Sequence, residues 1–344
     1  MSEQIAAGII GLGRSGWNIH AANMLSLKDK YRIVAVSDPD ASRREEAVTT
    51  VGCKAYEAAE DLIHDPDVEL VVVASPSHLH KAHTIQALEA GKAVVCEKPM
   101  APTLEDADEM IEVSKRTGQL LTVFHNRRYQ PDFWKVREII NSGILGRIVM
   151  IRIAWHNFGR RWDWQTLKKY GGGTLNNTGP HIIDHALQLL GPAEPEIFCD
   201  LQRTLTLGDA EDHVKIVLKA PNAPLIDLEI TSACAYPQDI WLVMGTQGGL
   251  TGTARELHWK YYKPEELPPR TLDTRPTPDR SYNRDEITWY EEHWTIDQGA
   301  GPGLLGFYLD LYETMRHGAP LAVTPEEARR VMWLIDTCHR MCPV

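Results

Sequence analysis

The chain has 344 residues, of which 43% are hydrophobic and 24% are charged, and its net charge is −11. This length predicts about two domains, each able to bury its own core, and the composition excludes an intrinsically disordered chain. The acidic balance argues against nucleic-acid binding, which needs a clustered basic surface. No apolar run approaches the roughly 18 residues of a membrane span, and the polar start MSEQ lacks a signal-peptide pattern.

The six cysteines are scattered, with no CxxC pair. This usage fits a reducing cytoplasm and indicates neither a disulfide framework nor a zinc ribbon. We therefore expect a cytoplasmic protein with neither a membrane nor a nucleic-acid partner. Ten tryptophans against five phenylalanines fit core packing, but they also fit stacking on the apolar faces of sugars.

The first third of the chain alternates short apolar runs with helical patterns. Strands are predicted at 5–11, 32–37, 69–74, 93–96 and 120–124, and helices up to residue 27 and at 43–50, 61–64, 80–90 and 104–117. Strands separated by helices of this length are typical of a parallel, doubly wound α/β sheet. We assign this domain to residues 1–125.

From about residue 126 the pattern changes. Alternating strands are predicted at 148–156, 212–218, 225–233 and 240–244, which favours a mixed or antiparallel sheet in a second, α+β domain over residues 126–344. Residues 259–297 hold five prolines and many aromatic side chains, and we interpret them as one long functional or interfacial loop. A final helix at about 324–342 begins with Thr324 as its cap and Pro325 in its first turn.

Three glycines follow the first predicted strand and open a helix. They are Gly11, Gly13 and Gly16. Asp38 ends the next strand about 20 residues later, which completes the fingerprint of a dinucleotide-binding turn. Asp38 would accept a hydrogen bond from a ribose 2′-hydroxyl and repel a 2′-phosphate, so NAD is favoured over NADP. Arg43 and Arg44 lie nearby and weaken that preference.

Two more turns follow strands of the same sheet, where ligands bind in such folds. Residues 75–80 (SPSHLH) fit either a ligand-binding turn or a plain strand-to-helix turn. In Glu97-Lys98-Pro99, the lysine is either a surface charge or an ammonium directed into the crevice.

A glycine run and polar residues at 171–179 precede a helix predicted to start near Pro180. His181 then falls in its first turn, and Asp184 shares a face with His181 and could orient its imidazole. His181 also fits a simple capping residue. Metal binding by His181, Asp184 and His185 has plausible spacing, but no fourth ligand is evident, so we predict no metal site.

Together these motifs resemble the Gfo/Idh/MocA family, the relatives of glucose–fructose oxidoreductase and inositol dehydrogenase. The resemblance rests on the glycine fingerprint and Asp38, the Ser75-Pro76-x-x-x-His80 turn, Glu97-Lys98-Pro99, Asn126-Arg127-Arg128-Tyr129, and Trp164 ahead of the 171–184 cluster. It implies an N-terminal Rossmann domain and a C-terminal domain whose open sheet commonly mediates oligomer contacts. A homodimer or homotetramer is therefore expected.

The resemblance also implies the site residues. Lys98 and His181 are expected to be catalytic. The expected cofactor site is Gly11, Gly13, Arg14, Ser15, Gly16, Asp38, Ser75, Pro76, His80, Glu97, Lys98 and Asn126. The expected substrate site is Lys98, Arg127, Trp155, Trp164, Asn177 and His181, with core packing as the alternative for Trp155, Trp162 and Trp164. Two positions depart from the family pattern: Asn177 replaces the first acid of a DxGxHxxD motif, and Gln165 replaces an arginine that often follows the tryptophan.

Three functions are consistent with this resemblance. The first is an NAD-dependent dehydrogenase of a sugar, glycoside or cyclitol hydroxyl, with His181 as the base and Lys98 bound to the same oxygen. The second is a glycoside-cleaving enzyme that uses tightly held NAD through a 3-keto intermediate and accumulates no NADH. The third is a non-catalytic NAD-binding regulator, which should lack the lysine–histidine pair that this chain has.

Overall fold

Two β-sheets organise the chain in the computed structural model, which describes residues 3–277 and 280–344. Met1 and Ser2 of the polar start, and Pro278 and Asp279 of the 259–297 segment, lie outside the described residues. Among the described residues, no helix is both long and apolar enough to cross a membrane.

The first sheet has six parallel strands in the order β3-β2-β1-β4-β5-β6. The strands are β1 (Ile5–Ile10), β2 (Tyr31–Ser37), β3 (Lys54–Tyr56), β4 (Leu70–Val73), β5 (Ala93–Cys96) and β6 (Leu121–Val123). The helices between them are a π-helical turn (Gly16–Ala21), α1 (Ala22–Ser26), α2 (Ala41–Val51), α3 (Ala59–Ile63), α4 (His80–Glu89) and α5 (Leu104–Thr117). Every residue of β4 and β5 is buried, as expected for strands covered on both faces. The predicted doubly wound sheet is confirmed.

The second sheet has eight strands in the order β14-β13-β12-β11-β7-β10-β9-β8, antiparallel except for the β7–β10 pair. They are β7 (Ile148–His156), β8 (Glu196–Gln202), β9 (His213–Lys219), β10 (Leu225–Thr231), β11 (Trp241–Gly245), β12 (Gly248–Gly252), β13 (Glu256–Tyr261) and β14 (Tyr290–Thr295). The prediction of a single loop over 259–297 is wrong at both ends, because β13 and β14 pair there as a ladder. The mixed sheet is confirmed.

Helices cover one face of the second sheet and leave the other exposed. The remaining helices are α6 (Pro131–Asn141), α7 (Thr174–Asn177), α8 (Gly179–Leu190), α9 (Gly306–His317) and α10 (Pro325–Met341). Helix α8 packs on β10 and α10 packs on β8. Phe198 and Met244 lie on the outer face, where they are 61% and 43% exposed. Helix α9 returns to the first sheet, where its Tyr308 joins the core.

Candidate active site

The glycine turn after β1 has the shape that a dinucleotide requires. Gly11 has a φ of +88°, and a side chain there would meet the carbonyl oxygen of Ala74 at 2.7 Å. A Cβ on Gly16 would lie 1.8 Å from the oxygen of Gly11, so the turn closes only with glycine. A Cβ on Gly13 would meet nothing within 4 Å. The backbone of this turn is therefore open to close approach by a pyrophosphate.

Asp38 connects the end of β2 to the same turn. Its Oδ2 accepts the amide of Leu12 at 2.7 Å and its Oδ1 accepts the amide of Asp40 at 2.9 Å. A carboxylate has about four acceptor sites, so capacity for a ribose hydroxyl remains. The half-exposed Arg43 places Nη1 3.5 Å from Oδ2, while Arg44 donates to the carbonyl of Asp38. A cation therefore borders the position where a 2′-phosphate would lie.

The turn after β4 is held by a buried histidine. His80 is 1% exposed; its Nδ1 lies 2.8 Å from the oxygen of Pro99 and its Nε2 lies 2.9 Å from the oxygen of Ser75. Burial lowers the pKa of His80, and the contacts with the two carbonyl oxygens oppose this. The imidazole thus connects the Ser75-Pro76 turn to the segment after Lys98, and its two nitrogens face backbone rather than an open crevice. Ser75 Oγ contacts His83 Nδ1 at 3.0 Å.

Glu97 is the centre of a buried network that the sequence did not predict. Its Oε1 lies 3.2 Å from Nε2 of His20, and its Oε2 accepts the amide of Lys98 at 2.9 Å. Nδ1 of His20 lies 2.5 Å from the hydroxyl of Tyr308. Burial alone would raise the pKa of Glu97, but His20 and Lys98 outweigh it and lower that pKa to about 2. An ionised carboxylate therefore fixes the backbone of Lys98.

Lys98 points into the crevice and not to the surface. Its Nζ donates to the carbonyl oxygen of Asn177 at 3.0 Å. Burial lowers the pKa of Lys98, and the charge of Glu97 opposes this decrease. The charges of Arg14 and Arg127 lower the pKa further. This contact brings the carboxyl edge of the first sheet to α7, directly before the helix that holds His181.

His181 lies in the first turn of α8, as predicted. Its Nδ1 is buried and has no hydrogen-bond partner among the described residues, while the residue as a whole stays partly accessible. Burial holds its pKa well below the ordinary value, and the charges of Lys98 and Arg127 lower it further. The imidazole is therefore neutral near pH 7 and able to accept a proton.

Asp184 does not orient His181, contrary to the prediction from their spacing. Its two oxygens accept Nε and Nη2 of Arg128 at 2.8 and 2.7 Å. The buried guanidinium of Arg128 needs this counter-charge, which explains why Asp184 pairs with Arg128 and not with His181. Nε2 of His185 lies 2.8 Å from the oxygen of Arg127. In the described part of the chain, no group of three or more potential ligands is placed to hold a metal ion.

The tryptophans divide between packing and exposure. Trp155 packs against the core and carries the guanidinium of Arg127 at 4.4 Å from its ring centre. Trp164 is 48% exposed and Trp162 is 76% exposed, so core packing is excluded for both. Trp164 touches the edge of Tyr170.

The remaining polar residues of the expected site differ in their exposure and in their hydrogen-bond partners. Nδ2 of Asn177 donates to the carbonyl oxygen of Gln165 at 3.2 Å, so the two positions that depart from the family pattern adjoin each other. Arg14 is exposed, and Asn126 begins the turn that presents Arg127. The carbonyl of Ser15 accepts the amide of His20 within the π-helical turn.

The sequence analysis did not identify His125, the residue directly before the turn that begins at Asn126. His125 is 2% exposed, and its Nδ1 has no hydrogen-bond partner among the described residues. Its position directly before Asn126 was the one available signal.

Two family models match the chain. The model described as an oxidoreductase family with an NAD-binding Rossmann fold matches residues 5–125, and the GFO/IDH/MocA C-terminal domain matches residues 133–251. Together these matches cover the first sheet and the second sheet from β7 to most of β12, while β13 and β14 lie outside them.

Named relatives are similar over much of the chain. A myo-inositol 2-dehydrogenase of Thermotoga maritima is 34% identical, with coverage of 70% of this chain and 73% of the relative. The scyllo-inositol 2-dehydrogenase (NADP(+)) IolW of Bacillus subtilis is 29% identical over 97% of this chain and 92% of the relative. The solved WlbA dehydrogenase of Bordetella pertussis, in complex with NADH and UDP-GlcNAcA, has a TM-score of 0.79 at 21% identity and covers 98% and 95% of the two chains. The predicted resemblance is confirmed: the chain belongs to the Gfo/Idh/MocA family of oxidoreductases.

Proposed function

We propose that the protein is an NAD(P)-dependent dehydrogenase that acts on a hydroxyl-bearing carbon of a sugar, glycoside or cyclitol. The observation that carries this proposal is the 3.0 Å contact between Nζ of Lys98 and the carbonyl oxygen of Asn177. It brings an ammonium at the dinucleotide-binding edge beside the helix of His181. A proton acceptor and a hydrogen-bond donor then meet at one crevice.

In this mechanism His181 accepts the proton of the substrate hydroxyl. Its lowered pKa keeps the imidazole unprotonated and ready for that transfer. Lys98 donates a hydrogen bond to the same oxygen and stabilises the negative charge that develops on it. When bound, the nicotinamide supplies the hydride acceptor.

The turn of Gly11, Gly13 and Gly16 would hold the dinucleotide. We propose that NAD is preferred, because the carboxylate of Asp38 repels a 2′-phosphate. Arg43 opposes this preference and makes NADP usable. The comparison of kcat/KM for the two dinucleotides tests the assignment of Asp38, and a preference for NADP would overturn it.

The test of the function is a panel of sugars, glycosides and cyclitols with NAD and with NADP, followed by absorbance of the reduced nicotinamide. Reduced cofactor that accumulates with a panel member supports the dehydrogenase. Glycoside cleavage without accumulation of reduced cofactor would instead favour the glycoside-cleaving function. His181→Ala, with unchanged dinucleotide binding, should abolish turnover, and so should Lys98→Ala.

We also propose a cytoplasmic homodimer or homotetramer. The scattered cysteines, without a CxxC pair, support a reducing compartment. The exposed outer face of the second sheet is the surface for self-association.

A further inference from the structure

Two consecutive arginines in the turn after β6 have opposite surroundings. Arg128 is buried and forms ion pairs with Asp184 and Glu327. Arg127 is partly buried, and its guanidinium forms no ion pair and no side-chain hydrogen bond with the residues of 3–277 and 280–344. Its guanidinium carbon lies 4.4 Å from the centre of the Trp155 ring.

The carboxylates around Arg127 are committed elsewhere. Asp132 is the carboxylate whose charge acts on Arg127, but it stays beyond ion-pair distance and accepts Nε1 of Trp241 at 2.9 Å. Glu97 is held by His20 and by the amide of Lys98. Neither carboxylate forms an ion pair with the guanidinium of Arg127.

The other charges near Arg127 are positive. Burial lowers the pKa of Arg127, and the charge of Asp132 opposes this decrease. Repulsion by Arg14 lowers the pKa further. Lys98 is a further cation, and its Nζ donates to the backbone carbonyl oxygen of Asn177, which carries no negative charge. A partly buried cation without a counter-charge is costly, and such groups are retained at functional sites where a ligand supplies the missing charge.

We infer that the substrate carries a carboxylate, that the guanidinium of Arg127 binds it, and that the substrate class is therefore sugar acids rather than neutral polyols. This inference rests on the proposed dehydrogenase function. Trp155, whose ring centre lies 4.4 Å from the guanidinium carbon, belongs to β7 of the second sheet and not to the sheet that would hold the dinucleotide. The counter-charge is therefore expected from the substrate.

A carboxylate fits this site better than a phosphate. A planar guanidinium forms two parallel hydrogen bonds to a carboxylate, and stacking on an aromatic ring fixes its orientation. Arg127 offers one positive charge for one negative charge. Of the two other nearby cations, Lys98 is used at the reacting oxygen and Arg14 is exposed, so a doubly charged phosphate would lack a second buried partner.

The experiment compares a hexuronate, its methyl ester, the parent hexose and the hexose 6-phosphate as substrates of the intact protein. We expect kcat/KM for the acid to exceed that for the ester by about tenfold or more, the range for a charge-assisted hydrogen bond. Arg127→Gln should lower kcat/KM for the acid by about 10- to 100-fold and for the ester by a much smaller factor, so that the acid-to-ester ratio falls. Arg127→Lys, which keeps the charge, should retain part of the preference.

Arg147→Gln is the matched control, because Arg147 is exposed and precedes the opposite end of β7. It should leave the acid-to-ester ratio unchanged. Calorimetric binding of acid and ester to the dinucleotide-loaded protein gives the same comparison without turnover. A melting temperature for each variant separates loss of the charge from loss of the fold.

Several results would overturn the inference. An ester or hexose used as well as the acid would do so, as would a preference for the phosphate. An equal loss with acid and ester in Arg127→Gln would make the residue structural. A raised KM for the dinucleotide with an unchanged acid-to-ester ratio would assign Arg127 to the cofactor. Turnover of neutral compounds only would refute sugar acids as the substrate class and leave the proposed dehydrogenase function in place. Selective binding of the acid without turnover of any compound would refute the dehydrogenase function and leave the substrate class in place.

Discussion

At the scale of single residues, Asn177 offers a test of the base. His181 is neutral to low pH because it is buried and faces cations, and position 177 holds no carboxylate to raise its pKa. Activity should therefore rise with pH through a low His181 pKa, since the base must be unprotonated. Asn177→Asp adds a negative charge that favours the imidazolium, so the rising limb of kcat/KM against pH should move to higher pH.

Asn176→Asp is the control for this change. Nδ2 of Asn176 and of Asn177 each donate to a loop carbonyl at 3.2 Å, so both variants lose an equivalent hydrogen bond. Asn176 faces His339 of α10 instead of Lys98. Asn176→Asp should therefore leave the rising limb of kcat/KM against pH in place. An unmoved limb in Asn177→Asp, with an unchanged KM for the substrate, would mean that residue 177 affects neither base nor substrate.

The candidate site shows what single residues reveal before the structure is known. Lys98 and His181 stand in recognisable motifs, because their chemistry restricts both residue type and spacing. The partners of Asp184 and Glu97 could not be predicted, since Arg128 and His20 lie far away in the chain and meet them only after packing. A spacing of three on a helix put Asp184 on the face of His181, but a buried guanidinium was the stronger electrostatic partner.

At the scale of elements, Arg128 joins three segments. It lies in the turn after β6 and binds Asp184 of α8 and Glu327 of α10. Asp184→Asn leaves the buried guanidinium with Glu327 as its remaining carboxylate partner, so it should lower the free energy of unfolding by about 3 kcal/mol, the lower end of the range for a broken buried pair. Urea denaturation at pH 7 measures this loss. Asp108→Asn is the matched control: Asp108 pairs with Arg329 of the same helix α10, both about 40% exposed, and should cost less than about 1 kcal/mol.

The pH dependence of this network has a definite sign. In the folded protein the pKa values of Asp184 and Glu327 are both lowered, although burial of each carboxyl would raise them. For Asp184 the charges of His125 and Arg128 outweigh burial. For Glu327 the charge of Arg128 outweighs burial. Their stabilisation is complete above the unfolded carboxyl pKa of about 4 and is lost as pH falls through the folded values. Asp184→Asn should therefore flatten the acid side of the stability curve. An unchanged acid limb with a normal stability at pH 7 would contradict the role of the pair.

The elements themselves were predicted unevenly, for a physical reason. Strands of the first sheet are buried on both faces and read as continuous apolar runs, so five of six were found. β3 is short and partly exposed, and it was missed. In the second sheet one face is exposed, and β12 to β14 consist of glycine, charged and aromatic residues that look like a loop. Only their pairing with neighbours makes them strands.

At the scale of the whole molecule, the outer face of the second sheet lacks a cover of helices. A groove of about 880 Å³ crosses its β11–β14 half and is lined in part by Leu242, Met244 and Trp289. On β9 and β10, Lys215 lies between Asp227 and Glu229, so local charges are compensated and do not repel a second copy. A face that is apolar at its edges and neutralised at its centre suits association with the same face of another protomer.

We therefore expect a dimer or tetramer by light scattering at micromolar concentration. Phe198→Glu and Met244→Glu each place a charge on this outer face, so the measured mass should fall toward that of one chain. Leu25→Glu is the control, because Leu25 is 43% exposed on α1 of the first domain and should leave the mass unchanged. Both interface variants must keep the wild-type far-ultraviolet spectrum, since the substituted side chains point away from the core. A wild-type monomer, or an oligomer that survives both substitutions, would show that this face stays open to solvent and that another surface, or none, joins the protomers.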